Sequence, residues 1–401
     1  MVSVVMVIER FWPLIGGSET QCSQLSEGLI SGGARVLVVT KRWEEDFPKE
    51  EDLKQGFKVI RLGIPGRGRL IDYFAGVHLL AWLLRNHRLY NLIYVNGGLA
   101  NTFGSTAILM GKLLSKWVVG KVATPGELFF SGPRALSPKR FVHPLIKLRL
   151  LIAKRADYYT AHTQEVEDEL LGLGIEKPRI RKFTNSVDEK IFKPPISTKV
   201  KMDLRRKLDI PLNKTVVIYC GRLVKRKGLA FLLEAWKRII QEKGDNVVLL
   251  ILGSGRNQPD SVESELRGIV EKEGLKQVYF LGEKGKLTVA KFLRAADIFV
   301  YPSIHPEGTA LSILEAMSSG LAVLGTRVGG IEALIENKKD GILVEKESPE
   351  ALFLGLNYLL NNPDKRIKFG EKAREKILKS YSSSKITADF YHFFQSLVKR
   401  D

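Results

Sequence analysis

The chain has 401 residues, 44% of them apolar, and its formal net charge is +19 at pH 7. Because this length exceeds the usual size of a single hydrophobic core, we expect two domains. The only two cysteines are Cys22 and Cys220, which excludes a disulfide framework and favours a reducing cytosol. No stretch approaches the roughly 20 apolar residues of a membrane-spanning helix, and Glu9 and Arg10 end the first apolar run early, so we expect a cytoplasmic protein.

Apolar strands alternate with helices along the chain, which predicts α/β domains. The predicted strands lie near residues 2–9, 35–40, 57–62, 91–96, 117–123, 157–161 and 180–184, and the series restarts at 215–220, 247–252, 277–281, 297–302, 321–325 and 341–344. The charged, proline-flanked gap from Asp188 to Leu212 is interpreted as the linker. We therefore predict a first domain at 1–188 and a second at 189–378. An amphipathic helix at about 384–399 ends the chain.

The first candidate motif is a pair of glycines near the N-terminus. Gly16 and Gly17 stand between the strand Val2 to Glu9 and a helix predicted from about Thr20 to Ser31. Paired glycines before a helix let backbone amides approach a phosphate or a sugar. Turns of this kind are common, and most of them bind nothing.

The second motif is a basic loop between the strand 215–220 and a helix predicted at 229–240. A basic loop at the carboxyl end of a strand is well placed to neutralise a diphosphate. Arg222 and Lys227 each stand beside a glycine that lets the backbone approach closely, and they are the candidates for this role. Lys225 and Arg226 are expected to be solvated.

The third motif is a pair of glutamates, Glu307 and Glu315. The first follows a buried strand, and the second lies inside the next predicted helix, whose amides from Thr309 to Ser312 form an anion site. Glu315 is roughly 9 Å along the helix axis from Thr309. A nucleoside diphosphate sugar fits this spacing, since it has hydroxyl groups at both ends and charge in the middle. From spacing alone, a surface glutamate before a turn and a second one on a helix face remains the alternative.

Together these segments resemble the family 4 retaining glycosyltransferases, which have the GT-B fold. The matching motifs are Gly16-Gly17-Ser-Glu19, Asn185-Ser-Val-Asp188, Gly221-Arg222-Leu-Val with Lys227-Gly228, Leu252-Gly253-Ser-Gly255, Phe280-Leu-Gly282, Ala296-Asp297, Pro302-Ser303, Glu307 to Glu315 and Val328-Gly-Gly330. They follow the family's order from residue 16 to residue 330. The resemblance implies two Rossmann-like domains facing across a deep cleft. The first domain would bind the acceptor and the second the nucleotide sugar, and the segment 379–401 would return to the first domain.

The resemblance also implies roles for single residues. Glu307, Arg222 and Lys227 would be catalytic: Glu307 would bind hydroxyls of the transferred sugar, while the two cations would hold the diphosphate. Glu315 would take the ribose hydroxyls. The remaining donor-binding positions would be Gly16, Gly17, Gly253, Leu281, Gly282, Gly308, Thr309, Ala310 and Leu311. Gly16 and Gly17 would approach donor and acceptor from the facing domain.

The same resemblance implies the reaction. Family members retain the anomeric configuration, and the leaving diphosphate assists deprotonation of the acceptor on the same face. No Asp-x-Asp occurs in the chain, in agreement with a metal-free mechanism, and no cofactor besides the donor is expected. The acceptor would be a glycan or a lipid-linked molecule. Neither the base nor the sugar of the donor is specified.

Four positions depart from the family pattern. Thr309-Ala310 replaces the usual Phe-Gly, Ser186 replaces a glycine, and Glu332-Ala333 stands where the family has Pro-Glu. The stretch from Val122 to Glu127 contains no histidine, although many relatives place a sugar-facing histidine there. Thr124 or Glu127 either takes over that role or belongs to the cleft wall.

The excess of positive charge has one conspicuous block, residues 128–156, which contains no acid. Its cations alternate with apolar residues at helical spacing. This pattern predicts either peripheral contact with the anionic inner face of the cell membrane, or an ordinary helix with its apolar face in the core. Nucleic-acid binding is disfavoured, because the chain has no reader motif. An epimerase or a sugar phosphorylase of the same fold, or a non-catalytic nucleotide-sugar-binding subunit, remains an alternative.

Overall fold

The computed structural model describes residues 1–14, 16–122, 126–130, 144–256 and 258–399. The chain forms two compact units: unit 1 comprises residues 1–186 and 383–401, and unit 2 comprises residues 187–382. Cys22 is buried in unit 1 and Cys220 in unit 2, and both are free. Among the described residues, no helix combines the length and the apolar character needed to cross a bilayer.

The centre of unit 1 is a mostly parallel sheet. Its strands are β1 (Ser3–Ile8), β2 (Arg35–Lys41), β3 (Glu50–Asp52), β4 (Lys58–Leu62), β5 (Leu92–Asn96), β6 (Trp117–Lys121), β7 (Tyr158–Ala161) and β8 (Ile180–Lys182). They are ordered β3-β4-β2-β1-β5-β6-β7-β8, and only β3 is antiparallel to its neighbour. Val4 of β1 pairs with Val36 on one side and Leu92 on the other. The order reverses between β1 and β5, so this is the topological switch point of unit 1.

Helices cover both faces of this sheet. The described helices of unit 1 are α1 (Gly17–Ser31), α2 (Arg69–Arg85), α3 (Thr102–Leu113), α4 (Glu127–Phe130), α5 (Pro144–Ala153), α6 (Gln164–Gly172) and the C-terminal helix (Ser383–Val398). Val5 and Val7 of β1 pack toward α2, α3 and α5, whereas Met6 packs toward α1 and the C-terminal helix. Successive side chains of a strand point to opposite faces, so an apolar run with no polar member is what a doubly covered strand requires.

Unit 2 has a fully parallel sheet. Its strands are β9 (Thr215–Cys220), β10 (Val247–Leu252), β11 (Val278–Gly282), β12 (Ile298–Tyr301), β13 (Ala322–Thr326) and β14 (Gly341–Val344). Their order is β11-β10-β9-β12-β13-β14, so the switch point lies between β9 and β12. The expected α/β class is confirmed in both units.

The helices of unit 2 enclose one hydrophobic core around this sheet. The described helices are α7 (Thr198–Lys207), α8 (Leu229–Lys243), α9 (Glu263–Lys272), α10 (Lys286–Ala295), α11 (Leu311–Ser318), α12 (Gly330–Leu334), α13 (Pro349–Asn361) and α14 (Pro363–Ser380). The segment 188–212, interpreted as the linker, lies in unit 2 and contains α7. Arg205 of α7 is buried and donates to the Asp297 carboxylate at 2.6 Å. This ion pair fixes the segment to unit 2.

The structure also differs from the predictions at the start of α1 and at β3. The helix after the paired glycines begins at Gly17 rather than near Thr20. The short strand β3, Glu50-Glu51-Asp52, has no apolar residue and was therefore not predicted. It pairs only with β4 at the edge of the sheet, where backbone hydrogen bonds suffice without a buried side chain.

Candidate functional site

The loops after three neighbouring strands of unit 2 are bonded to one another at the carboxyl edge of the sheet. The Gly221 amide donates to Leu252 O at 3.0 Å, and the Gly253 amide donates to Gly282 O at 2.9 Å. Gly253 has φ +134°, and a Cβ there would lie 1.8 Å from Gly221 O. Only glycine permits this approach, so these two loops can meet only if residue 253 is a glycine. Leu281 is partly exposed beside it.

The centre of the candidate site is an ion pair between Lys227 and Glu307. The ammonium nitrogen of Lys227 lies 2.6 Å from Glu307 Oε1, and the two side chains are only 6% and 12% exposed. Lys227 ends a short 3-10 turn after β9, and Glu307 lies in the loop between β12 and α11. The two residues therefore come from strands on either side of the switch point. The structure brings together these two predicted catalytic residues.

Tyr301 and Ser303 hold the pair in place. Lys227 donates to the Tyr301 hydroxyl and lies 4.8 Å from the centroid of that ring. The Ser303 hydroxyl donates to Glu307 Oε1 at 2.9 Å. Gly228, which follows Lys227, has φ +69°, and a Cβ there would lie 2.0 Å from Pro302 O. The basic loop thus packs directly on the end of β12, and only glycine fits at the contact.

The backbone around Glu307 is fixed as well. The Gly330 amide donates to Glu307 O at 2.9 Å, and a Cβ on Gly330 would lie 2.5 Å from Gly308 O. Gly330 opens α12, so the Val328-Gly-Gly330 motif has a clear physical reason. It supports the loop that carries Glu307 and Gly308.

Helix α11 begins later than the sequence predicts. Its first residue is Leu311 and its N-cap is Ala310, so the buried residue Thr309 precedes the helix. In helix geometry the first amides, here those of Leu311 and Ser312, have no intrahelical acceptor. The Ile313 and Leu314 amides already donate to Ala310 O at 3.2 Å. The predicted anion site, which spans the amides of Thr309 to Ser312, is therefore limited to the amides of Leu311 and Ser312.

Glu315 lies in the middle of α11, and its charged neighbour is Lys286 rather than Lys227. Burial raises the pKa of Glu315 to about 7, and the nearby positive charge of Lys286 partly offsets the rise. Lys286 is the first residue of α10 and also lies 3.3 Å from Asp188. A carboxyl group that is costly to ionise in a buried setting gains from a ligand whose hydroxyl groups donate to it.

Arg222 is placed differently from Lys227. Its side chain is exposed, and its guanidinium donates to Gln258 Oε1 at 3.3 Å. Its backbone carbonyl accepts a hydrogen bond from the Tyr219 hydroxyl at 2.9 Å. Arg222 thus has a hydrogen-bonded backbone and an exposed cationic side chain, whereas Lys227 is buried in an ion pair. Lys225 is exposed, as predicted for a solvated residue.

In unit 1, Gly16 is the N-cap of α1 and Gly17 is its first residue. Thr124 lies outside the described residues. Glu127 opens α4, and its carboxylate accepts a hydrogen bond from the Gly98 amide. This carboxylate is therefore bound to the backbone of the loop after β5. What replaces the histidine of many relatives stays a prediction.

A small polar cavity of about 20 Å³ lies inside unit 1, at the end of β6. Lys121 borders it and donates to Asn185 Oδ1 at 3.2 Å, and burial lowers the pKa of Lys121 to about 8. Asn96 Oδ1 and Thr184 Oγ1 are buried with no hydrogen-bond partner among the described residues. Asn185, from the motif Asn185-Ser-Val-Asp188, thus contributes to a polar pocket rather than to the apolar core.

Three contributors to the candidate site carry no predicted role from the sequence: Tyr301, Ser303 and Lys286. Ser303 belongs to the Pro302-Ser303 motif, so only its partner was unknown. Lys286 had a detectable signal, since it is the first residue of a helix that follows a strand with a glycine loop. Tyr301 had no such signal, because a tyrosine at the end of a buried strand cannot be distinguished in sequence from a core residue.

Family models and relatives agree on the class of protein. The model for Glycosyl transferases group 1 matches residues 200–376, and that for Glycosyltransferase Family 4 matches residues 15–190. A D-inositol 3-phosphate glycosyltransferase from Corynebacterium urealyticum is 30% identical over 399 residues, covering 95% of this chain and 91% of the relative. One from Xylanimonas cellulosilytica is 26% identical and covers 90% and 87%.

Solved structures agree on the fold. Sucrose-phosphate synthase from Thermosynechococcus elongatus has a TM-score of 0.80 at 21% identity, with 100% of each chain covered. The HepE protein of Anabaena, in complex with UDP and glucose, has a TM-score of 0.76 at 19% identity, with 99% of this chain and 100% of that chain covered. The chain therefore belongs to the family 4, group 1 glycosyltransferases, and it is a glycosyltransferase with the GT-B fold.

Proposed function

We propose that the enzyme takes its sugar from a nucleoside diphosphate sugar bound by unit 2. It transfers that sugar to a glycan or lipid-linked acceptor, with retention of configuration and without a metal. The observation that carries this proposal is the Lys227–Glu307 pair at 2.6 Å, with Glu307 four residues before the start of α11 at Leu311. A diphosphate needs cations and amide donors, and a sugar needs carboxylate acceptors for its hydroxyls. This edge of the sheet offers both kinds of group.

The two glutamates have separate roles in this proposal. Glu307 accepts hydrogen bonds from hydroxyls of the transferred sugar, and Glu315 accepts them from the ribose. Their surroundings favour this division, since Glu307 is paired with Lys227, whereas Glu315 has Lys286 as its nearby cation. Support for a nucleotide sugar as donor comes from HepE, which was solved in complexes with UDP and with UDP-glucose. The base and the sugar of the donor are left to experiment.

The chemistry follows from where charge develops. The acceptor oxygen bonds to the anomeric carbon while the bond from that carbon to the diphosphate oxygen breaks. The acceptor proton passes to the leaving diphosphate on the same face. Arg222, Lys227 and the amides of Leu311 and Ser312 stabilise the negative charge of the leaving group. Preorganised donors of this kind typically lower a barrier by several kcal/mol.

Unit 1 is proposed to bind the acceptor. The polar groups around Lys121 and the backbone-bound Glu127 are the described features that suit hydroxyl or anionic groups. The contact of 128–156 with an anionic membrane, at the cytoplasmic face, is also a proposal. Residues 131–143 lie outside the described part, while Leu148 and Leu151 of α5 are exposed.

A thermal-shift panel of UDP, GDP and ADP sugars tests the proposal. One of these donors is expected to raise the melting temperature, because a ligand that binds only the folded state stabilises it. Glu307→Ala and Lys227→Ala should weaken the shift, whereas Glu265→Gln, an exposed position on α9, should not. The proposal fails if no nucleotide sugar shifts the melting temperature, with or without a lipid or glycan acceptor.

A further inference from the structure

Helix α2 has two apolar faces, and among the residues that the structure describes only one of them is packed. The buried face consists of Ala75, Gly76, Leu79 and Leu83. The opposite face carries Leu70, Tyr73, Phe74, Val77, Leu80 and Leu84, all exposed. Leu70, Val77 and Leu84 are 75%, 62% and 50% exposed, at a spacing of seven residues that keeps them on one side of the helix. An apolar helix face left open to water calls for a partner.

The neighbouring helices extend this surface. Leu109 and Leu113 of α3 and Leu148 and Leu151 of α5 are also exposed. The three helices form one layer: α3 packs against both α2 and α5. Arg149 of α5 donates to Thr102 Oγ1 of α3 at 2.7 Å and lies 5.6 Å from the Tyr73 ring of α2.

We call these ten exposed side chains the α2 face: Leu70, Tyr73, Phe74, Val77, Leu80, Leu84, Leu109, Leu113, Leu148 and Leu151. These residues are about half exposed on average, and monomeric proteins rarely leave apolar side chains clustered in this way without a binding role.

Cations flank the α2 face at both ends of α2. Arg67 and Arg69 are exposed at its start, and Arg85 and Arg88 at its end. The single acid between residues 64 and 90 is Asp72, and it is paired with Lys41 at 2.5 Å. The surface is therefore apolar in the middle and positive at its ends.

We propose that the α2 face docks on a bilayer that contains anionic lipids. Two copies of the chain meeting through this face would bring their arginines together, whereas anionic headgroups complement them. The distance from Leu70 to Leu84 is about 21 Å along the helix, and a helix of this kind lies flat in the interfacial plane with its apolar side chains inserted. The docking proposal rests on the proposed function, and it moves the centre of the proposed membrane contact from residues 128–156 to α2.

Sedimentation with large unilamellar vesicles tests the α2 face. The full chain is mixed with phosphatidylcholine vesicles that contain phosphatidylglycerol, and with pure phosphatidylcholine vesicles, at low and at physiological salt. The wild type should sediment with the anionic vesicles. Each arginine that reaches the lipid surface should contribute about fivefold, so Arg67→Gln with Arg69→Gln should require clearly more lipid for half-maximal binding.

The decisive variant is the triple Leu70→Gln, Val77→Gln, Leu84→Gln. Glutamine is a good helix former, so the fold should persist, and circular dichroism checks this. Half-maximal binding should require on the order of tenfold more lipid or worse. The matched control is Leu287→Gln, Leu354→Gln, Leu378→Gln in unit 2, where the leucines are 64%, 56% and 48% exposed. This control should bind like the wild type.

Three outcomes overturn the proposal. The wild type does not sediment with anionic vesicles even at low salt, or the α2 triple variant binds as tightly as the wild type. Alternatively, light scattering shows a dimer that the triple variant dissociates while no lipid binds, in which case a second copy occupies the face. The donor thermal shift is measured on the same variants and should be unchanged. Loss of vesicle binding with an intact donor shift therefore separates this surface from the donor site.

Discussion

Glu315→Gln is expected to remove a large pH dependence from the stability of unit 2. Burial raises the pKa of Glu315 from 4.5 to about 7 in the folded protein. Each pKa unit corresponds to about 1.4 kcal/mol, so ionising this side chain in the folded state costs at most about 3 kcal/mol. Glutamine keeps the shape of the side chain but carries no charge.

The pH dependence of the unfolding free energy follows from the direction of the pKa shift of Glu315. Because the folded pKa is raised, the protonated side chain stabilises the fold fully below about pH 4.5, and this contribution is lost as the pH rises through about 7. Relative to wild type, Glu315→Gln should therefore gain about 2–3 kcal/mol of unfolding free energy between pH 5 and pH 8. For a unit of this size, that is a relative rise in melting temperature of about 5–10 °C.

Urea unfolding of wild type and variant at pH 5, 6, 7 and 8 measures this difference. Glu265→Gln is the matched control, since Glu265 is exposed and its replacement should shift stability by under about 0.5 kcal/mol at every pH. A difference between wild type and Glu315→Gln that stays constant with pH, or that falls as the pH rises, would show that the pKa of Glu315 is not raised in the folded protein.

Three further substitutions test other parts of the account. Gly228→Ala should destabilise unit 2 by roughly 2–4 kcal/mol in urea unfolding, because of its positive φ and the contact with Pro302. The control Gly268→Ala, in the open middle of α9, should be neutral or stabilising by up to about 1 kcal/mol. Asp297→Asn should cost roughly 3 kcal/mol at pH 7, since it breaks the pairs with Lys201 and Arg205. Those cations outweigh burial and hold the pKa of Asp297 below its usual range, so the difference from wild type should vanish as the pH falls through that lowered pKa. Arg222→Ala should leave the melting temperature unchanged but lower kcat/KM by on the order of 100-fold with the donor that the panel identifies. The control Lys225→Ala should leave both the melting temperature and kcat/KM unchanged. An Arg222→Ala variant with normal kcat/KM would show that Arg222 is not catalytic.

Much of unit 2 could be predicted because its motifs have local causes. The strand 215–220, the basic loop and the start of α8 at Leu229 follow from apolar runs and glycine positions, and the structure agrees. Glycines such as Gly253 and Gly228 leave a trace in sequence, since no other residue fits where two backbones meet. The approach of Lys227 to Glu307 follows once both loops are placed at adjacent strand ends.

What could not be predicted depends on partners that are distant in sequence. The contact of Tyr301 with Lys227 spans 74 positions, and neither residue type signals it. Helix α2 shows the same limit, because an apolar helix gives the same pattern whether one face or both are buried. Its exposed side appears only when α3 and α5 are in place. The short strand β3 had no apolar pattern at all.

Isothermal titration with two ligands tests the division of labour between the glutamates most directly. The ligands are the nucleoside diphosphate and the nucleotide sugar that the thermal-shift panel identifies. Glu307→Gln should bind the diphosphate at least as well as wild type, because Lys227 then has no carboxylate partner, but it should lose the extra affinity for the sugar. Glu315→Gln should weaken both ligands by the same factor. A Glu307→Gln variant that loses equal affinity for both ligands, or a Glu315→Gln variant that loses affinity only for the sugar, would contradict the assignment of Glu307 to the sugar and Glu315 to the ribose.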